Sequence, residues 1–492
     1  MANTIEIQNV DPKSLLVDVN VRSDLDLNKE FIGSIKEYGV LVPIVAVKTD
    51  DGLRVRMGHR RTVGAVEAGR DSVPVYVTAT EAEGDAAELE RLLIQHAENH
   101  HRTGLSITDD ANALKQMSLM GLSAATIAKR TQTKKASVET ALSVAGSELA
   151  TKATERYDLT LDQAAVIAEF EDDTEVVTAL VAAVQSGRFD HVAQRASNDR
   201  ADAEAQAPVI AALAEVNVPV VPRPRYDDDV SMLNKLVTPE GEDITDESHT
   251  ECPGHAAFLN EEHVYVDSDG NPLPTDQWGH VDFGEDVDEE EAEKRIDEAT
   301  VVGTWAPVYV CTDPKANGHR DRYASGSDRH KAEDKTPEER EADKKARALV
   351  IENNKAWKAA REVRNEWVKT YLTRKTPPAA AGPFLAVALT RDADISADVK
   401  GNHVAAEWFG ATSTNVYSRS ADLTKVAEGA NDKRSLVIAL GTILGGYEAR
   451  ATDGAWRENG EHSSTGRYLR FLAANGYVLS EVEVYAASKK TA

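Results

Sequence analysis

Aromatic residues make up only 5% of this 492-residue chain, cysteine occurs twice, and 56 Lys and Arg face 83 Asp and Glu. Two cysteines cannot build a disulfide framework. The acidic balance, a formal net charge of −27, excludes indiscriminate nucleic-acid binding, which needs cations to displace condensed counterions. Any DNA contact has to come from a locally basic surface on an acidic body. Long apolar runs are also missing: the best candidates, 377–389 and 435–445, are short and broken by proline or glycine, too little to cross a bilayer. The amino terminus shows no charged-then-apolar secretory pattern. These absences predict a soluble cytoplasmic protein with no membrane partner, and the length predicts two to four domains.

What is present concentrates in the first third. Ile5 to Val10 alternates as a strand does, Glu30 to Tyr38 reads as a helix stopped by Gly39, and strands are predicted at 40–47, 53–57 and 73–77. Gly58 stands where a strand gives way to a helix, with Arg60 and Arg61 in the first turn. Unpaired N–H groups and the positive end of the helix dipole favour an anion there, and guanidinium forks suit phosphate oxygens. The alternative is a solvated arginine pair. About forty residues on, Glu98-Asn99-His100-His101-Arg102 follows a helical stretch. A carboxylate beside an amide oxygen is a hard-oxygen set that magnesium accepts, and Arg102 can reach the same phosphates; a helix cap with an ordinary ion pair is the competing reading.

From 107 to 144 the pattern is amphipathic helix, Gly121-Leu122-Ser123 turn, short helix, Thr131-Gln132-Thr133, second helix. That is a helix-turn-helix layout, whose second helix enters the major groove. Lys129, Arg130, Lys134 and Lys135 reverse the local charge, Lys134 and Lys135 sit where phosphate or guanine would lie, and Ser137 and Thr140 point outward toward base edges. A helical hairpin without DNA is the alternative.

Asn20-Val21-Arg22, Gly39-Val40-Leu41-Val42-Pro43-Ile44, Gly58-His59-Arg60-Arg61-Thr62-Val63-Gly64-Ala65 and Glu98-Asn99-His100-His101-Arg102 resemble the ParB family, with its ParB/sulfiredoxin-like α/β N-terminal domain. The helix-turn-helix stretch aligns with the same family without gaps, and the likeness weakens toward residue 200. The resemblance implies CTP and Mg2+ as ligands. Gly58, Arg60, Arg61 and Arg102 would hold phosphates, Gly39 and Pro43 would flank the base, and Glu98 and Asn99 would organise the metal, Glu98 also any attacking water. Thr103 stands where the family has an acidic residue, so CTP hydrolysis is left open. Sulfiredoxin chemistry is rejected, since its active-site turn needs a cysteine and none accompanies His59. The family also implies double-stranded DNA, a homodimer and a partition ATPase as partners, in association with nucleoid or plasmid.

The remaining three-fifths is read from composition. Residues 201–226 are expected to be a linker, 227–330 an acidic middle region with flexible acidic loops, 331–345 a charged linker and 346–492 an α-helical domain, after a nucleotide domain at 1–103 and a DNA domain at 104–200. The fold class is thus multidomain α+β. Cys252 with His255, and Cys311 with His319, could form a tetrahedral structural zinc site; two reduced cysteines beside unrelated histidines is the equal alternative. Helix 348–375 has Val350, Trp357, Val363, Trp367 and Tyr371 on one face and Lys355, Lys358, Arg361, Arg364, Lys369, Arg374 and Lys375 on the other, expected to be solvated in preference to a second DNA surface. The function expected is a CTP-regulated DNA clamp in plasmid, phage or chromosome partition. A transcriptional regulator with a vestigial pocket, and a metal-dependent nuclease, are the lower-ranked alternatives.

Overall fold

A computed structural model describes residues 6–17, 27, 29–78, 89, 92–93, 96, 106–224, 230–276, 281–284, 287–323, 336–392, 394–395, 399–411, 419–458, 460 and 462–488. The chain divides into two compact units, Met1–Phe189 and Asp190–Ala492.

The first unit begins with a four-stranded sheet of β1 (Glu6–Val10), β2 (Ile44–Thr49), β3 (Gly52–Met57) and β4 (Val73–Thr78) in the order β1-β4-β2-β3. The Asp50–Gly52 turn joins the β2–β3 hairpin, whereas β2 and β4 run parallel and are connected by a crossover through β3 and the His59–Glu67 helix. Ile44, Ala46, Val55, Val73 and Val75 are fully buried against Ile35 and Ala65 of those helices. The strands alternate, so one face supplies this core.

Helices at Ile107–Leu119, Ala124–Thr131 and Lys135–Gly146 follow, each close to its predicted bounds. Ser106 and Ser123 cap the first two by accepting from the N–H of Asp109 and Thr126. Gln132 ends the second helix in the left-handed region at φ 57°, and Ile127, Met117, Leu114, Val138 and Ala141 form the shared core. Three more helices, Glu148–Arg156, Leu161–Glu169 and Thr174–Ser186, complete this unit, and the 27-residue helix Phe189–Glu215 opens the second.

The second unit contains the sheet β5 (Ser231–Met232), β7 (His255–Val266), β8 (Thr300–Cys311), and the short pair β6 (Leu236–Val237) and β9 (Arg320–Asp321). Antiparallel β7 and β8 pair from His255↔Cys311 to Val266↔Thr300. The exposed stretches of these strands include Glu261, Glu262, His263 and Gly303. The acidic run expected to be a loop becomes a helix at Glu289–Glu298, capped by Asp288, whose side chain accepts from the Glu291 N–H. Part of the expected 331–345 linker is helical as well. Thr336, Pro337 and Glu339 form a capping box that starts a 35-residue helix, Pro337–Tyr371.

That helix packs with those at Ala381–Arg391, Val399–Trp408, Asp432–Arg450, Ser464–Ala474 and Glu481–Ala487, while the Arg419–Glu428 helix packs on Val399–Trp408 and Asp432–Arg450. Its basic face is largely engaged within the unit. Lys355 pairs with Asp199 at 2.7 Å, Lys358 with Glu261 at 3.1 Å and Arg361 with Glu448 at 3.5 Å, while Arg374 covers the Tyr371 ring. Arg364 is not on the solvated side at all: its side chain is completely buried. Among the described residues no helix is long and apolar enough to cross a membrane.

Candidate functional site

Gly58 takes φ 98° and ψ 23° as N-cap of the His59–Glu67 helix. Only glycine adopts that left-handed geometry cheaply, and it lets the chain swing from β3 into a helix whose first turn holds Arg60 and Arg61 and no acid. The guanidinium of Arg60 lies 4.1 Å over the Phe31 ring. Phe31 lies four residues before Ile35, on the stripe of its helix that faces the arginine helix. Arg61 does something the motif did not foretell: Nη1 donates to the carbonyl oxygens of Val42 at 2.5 Å and Pro43 at 3.0 Å. It thereby ties the Gly39–Pro43 loop to the start of the helix. Gly39, at φ 74°, ends the preceding helix by donating to the Ile35 carbonyl. The structure thus brings Gly39, Pro43, Gly58, Arg60 and Arg61 to one end of the sheet; Glu98, Asn99 and Arg102 lie outside the described residues.

Among the expected DNA contacts, Lys129, Arg130, Lys134, Lys135 and Ser137 are exposed. Lys134 is the N-cap residue of the Lys135–Gly146 helix, so it projects from the helix end, while Lys135 pairs with Glu139 at 3.0 Å. An exposed pair of this kind contributes under about 1 kcal/mol, so phosphate can compete for the lysine. Thr140 is half-buried and its hydroxyl donates to the Ala136 carbonyl at 2.9 Å, which occupies its proton. Lys115, another base in this stretch, donates to the Ala145 carbonyl at 2.5 Å and serves the end of the third helix.

Residues 2–91 match the family model described as the ParB N-terminal domain. This segment is a ParB N-terminal domain. Relatives of the chain include a probable chromosome-partitioning protein ParB of Treponema pallidum, 34% identical over 116 residues, which are 23% of this chain and 34% of that protein. Another is the chromosome-partitioning protein Spo0J of Thermus thermophilus, 32% identical over 114 residues, 23% of this chain and 40% of that one. The match therefore spans between a third and two-fifths of these relatives. Similar solved structures include the truncated ParB of Caulobacter crescentus complexed to the centromeric parS site, 20% identical with TM-score 0.28, covering 35% of this chain and 91% of that one. The same protein complexed with CTP-gamma-S is 22% identical with TM-score 0.17, covering 35% and 98%. In this chain the ParB domain contains the β1–β4 sheet, the Gly58 turn, Arg60 and Arg61.

Beyond the ParB domain, the second unit collects four metal-ligating side chains, and they are not the four expected. His249, Cys252, Cys311 and His319 hold their ligand atoms within 4.8 Å of one another. His255 is displaced from the set because it opens β7, opposite Cys311, with its ring stacked on Tyr309; its Nδ1 lies 3.0 Å from Nδ1 of His249. His249 sits on the single helical turn Asp246–His249, and the His249-x-x-Cys252 spacing was the legible signal for it. Burial, with His319 and His255 beside it, lowers the His249 imidazole to about 4, and burial also lowers His255. Burial raises the Cys311 thiol, against the opposing N–H of Asp313 and amide of Asn317.

Proposed function

We propose that the first unit binds a cytidine nucleotide with Mg2+ and grips double-stranded DNA, as a ParB-like clamp acting in partition of a chromosome, plasmid or phage genome. The observation that carries this reading is the Gly58-led helix start, with Arg60 and Arg61 in its first turn, inside a segment matching the ParB N-terminal domain. Helix N–H groups and guanidinium forks together form a polyphosphate site. Glu98 and Asn99 would hold the magnesium and Arg102 a further phosphate. The Arg61 link to the Val42 and Pro43 carbonyls couples the loop beside the base to the phosphate end, so nucleotide occupancy can order both together. Helices Ala124–Thr131 and Lys135–Gly146 form the helix-turn-helix that reads DNA. A homodimer and a partition ATPase complete the proposed assembly, with the protein on the nucleoid or plasmid.

Isothermal titration of the full chain with CTP and Mg2+, with and without DNA selected from its own genome, tests the nucleotide half. Arg60→Ala should weaken CTP about ten- to a hundredfold, the equivalent of one lost charge-assisted contact. Unchanged affinity in Arg60→Ala and Glu98→Ala, or no binding by the wild type, would sink it. DNA binding without any nucleotide effect would instead favour a transcriptional regulator.

The DNA half has its own measurement. Lys134→Ala should lower the slope of log affinity against log salt by about one, with a loss of similar size on every sequence. Ser137→Ala should leave the slope alone and relax preference at one base position. Identical salt slopes for wild type and Lys134→Ala would remove that lysine from the phosphate contacts.

A further inference from the structure

We propose that His249, Cys252, Cys311 and His319 hold a structural zinc ion, with His255 as the group that orients His249. The argument is geometric. The Nε2 atoms of His249 and His319 face each other at 3.2 Å, and Cys252 Sγ lies 3.5 Å from the same Nε2 of His319. A tetrahedral ion with Zn–N near 2.05 Å and Zn–S near 2.3 Å requires N···N edges of about 3.3 Å and N···S edges of about 3.6 Å. The two measured edges match both values. Two nitrogens and two sulfurs are also the ligand types that favour zinc over calcium or magnesium.

The surroundings fit the same reading. His249 Nδ1 is bonded by His255 Nδ1 at 3.0 Å, which leaves Nε2 directed at the cluster and fixes the ring. Asn317 donates its amide to Cys311 Sγ at 3.5 Å, a contact that stabilises a metal-bound thiolate. Gly254 lies so close that a Cβ there would sit 2.8 Å from Cys311 Sγ and 2.6 Å from the Asn317 amide, so the loop between Cys252 and β7 has been kept bare to admit the sulfur. Two thiolates neutralise the ion, which suits a cluster built from Cys and His in a strongly acidic chain.

The ligands come from four places: the Asp246–His249 turn, the loop before β7, the end of β8, and the loop before β9. An ion here staples β7, β8 and β9 where the apolar support is small, chiefly Leu233, Leu236 and Ile244. Four protein ligands leave no open position, so the site is structural and not hydrolytic.

The test is metal analysis of the full chain purified without chelators, together with Co2+ substitution. About one zinc per chain is expected. The Co2+ form should show thiolate charge-transfer bands and tetrahedral d–d absorption. His249→Ala and Cys252→Ser should drop zinc below a tenth of an equivalent. His255→Ala should retain one equivalent but bind about ten- to a hundredfold more weakly against a chromophoric chelator. Absence of zinc and of the Co2+ bands in the wild type would overturn the proposal, and so would a Cys252–Cys311 disulfide in the purified chain. Full zinc retention by His249→Ala, with loss in His255→Ala, would overturn this ligand set. Should His249→Ala or Cys252→Ser fail to fold, the wild-type Co2+ spectrum and His255→Ala still decide.

Discussion

Arg364→Ala is expected to destabilise the second unit by about 3–5 kcal/mol, because it strands two buried carboxylates. Arg364 donates Nε and Nη2 to both oxygens of Glu448 at 2.7 Å each, and Nη1 to Glu483 at 2.6 Å. All three side chains are completely buried. Tyr468 adds a hydrogen bond to Glu448 at 2.8 Å, and Tyr477 with the Ser480 hydroxyl and N–H hold Glu483. Burial opposes the charged guanidinium, yet the two carboxylates more than offset it and raise its pKa well above the ordinary value. Arg361, at 3.5 Å from Glu448, brings a second positive charge from the rim. The network joins four helices, so its loss should propagate through the bundle and not stay local. Lysine cannot substitute, since a single ammonium lacks the fork that meets both acids. All six tryptophans lie after residue 277, so their fluorescence follows the second unit selectively during urea unfolding. Arg364→Met combined with Glu448→Gln and Glu483→Gln should recover much of the loss, because no buried charge remains unpaired. A shift under about 1 kcal/mol for Arg364→Ala, the range of an exposed pair, would show that the carboxylates find other partners.

Arg364 also shows where sequence reading stops. It is seven residues from both Trp357 and Tyr371, on the buried stripe of the helix, so its position was legible. Its charge outweighed its phase, and only the distant partners Glu448 and Glu483 reconcile the two. The first unit was more transparent. Gly39, Gly58, Ser106 and Ser123 are local signals, and local hydrogen bonding decides the elements they bound. Arg61 was legible as a phosphate-type residue but not as the tether of the Val42–Pro43 loop, since that depends on a carbonyl eighteen residues away. In the Cys/His cluster the residue types were readable and the grouping was not. Cys252-Pro253-Gly254-His255 looks like a pair, but antiparallel pairing sets His255 opposite Cys311 with its ring stacked on Tyr309, and His249 groups with Cys252, Cys311 and His319.

Gly445→Val is expected to cost at least about 1–3 kcal/mol, and more if the helices must separate. Gly441, Gly445 and Gly446 interrupt the apolar run but not the helix, which spans Asp432–Arg450. The reason is the approach of the Val399–Trp408 helix. A Cβ on Gly445 would stand 2.5 Å from the Gly401 carbonyl oxygen, and one on Gly401 would stand 2.5 Å from the Gly446 Cα. These are backbone atoms, so no rotamer change can relieve the contact; one helix must move. A Cβ on Gly446 would likewise stand 2.6 Å from the Ile395 carbonyl oxygen, and one on Gly441 would stand 2.6 Å from the Phe409 ring, a side chain that could shift. Each glycine inside a helix gives up about 0.5–1 kcal/mol relative to alanine, and dispersion contacts between closely packed backbones offset that cost. Gly382 supplies the opposite case, because nothing lies within 4 Å of its Cβ position in the Ala381–Arg391 helix. Gly382→Ala should therefore be neutral or stabilising by up to about 0.5–1 kcal/mol. Paired urea titrations read by tryptophan fluorescence measure the contrast. Equal midpoints for Gly445→Val and Gly382→Ala would mean that the two helices can part at no cost, and that the close crossing does not hold this layer together.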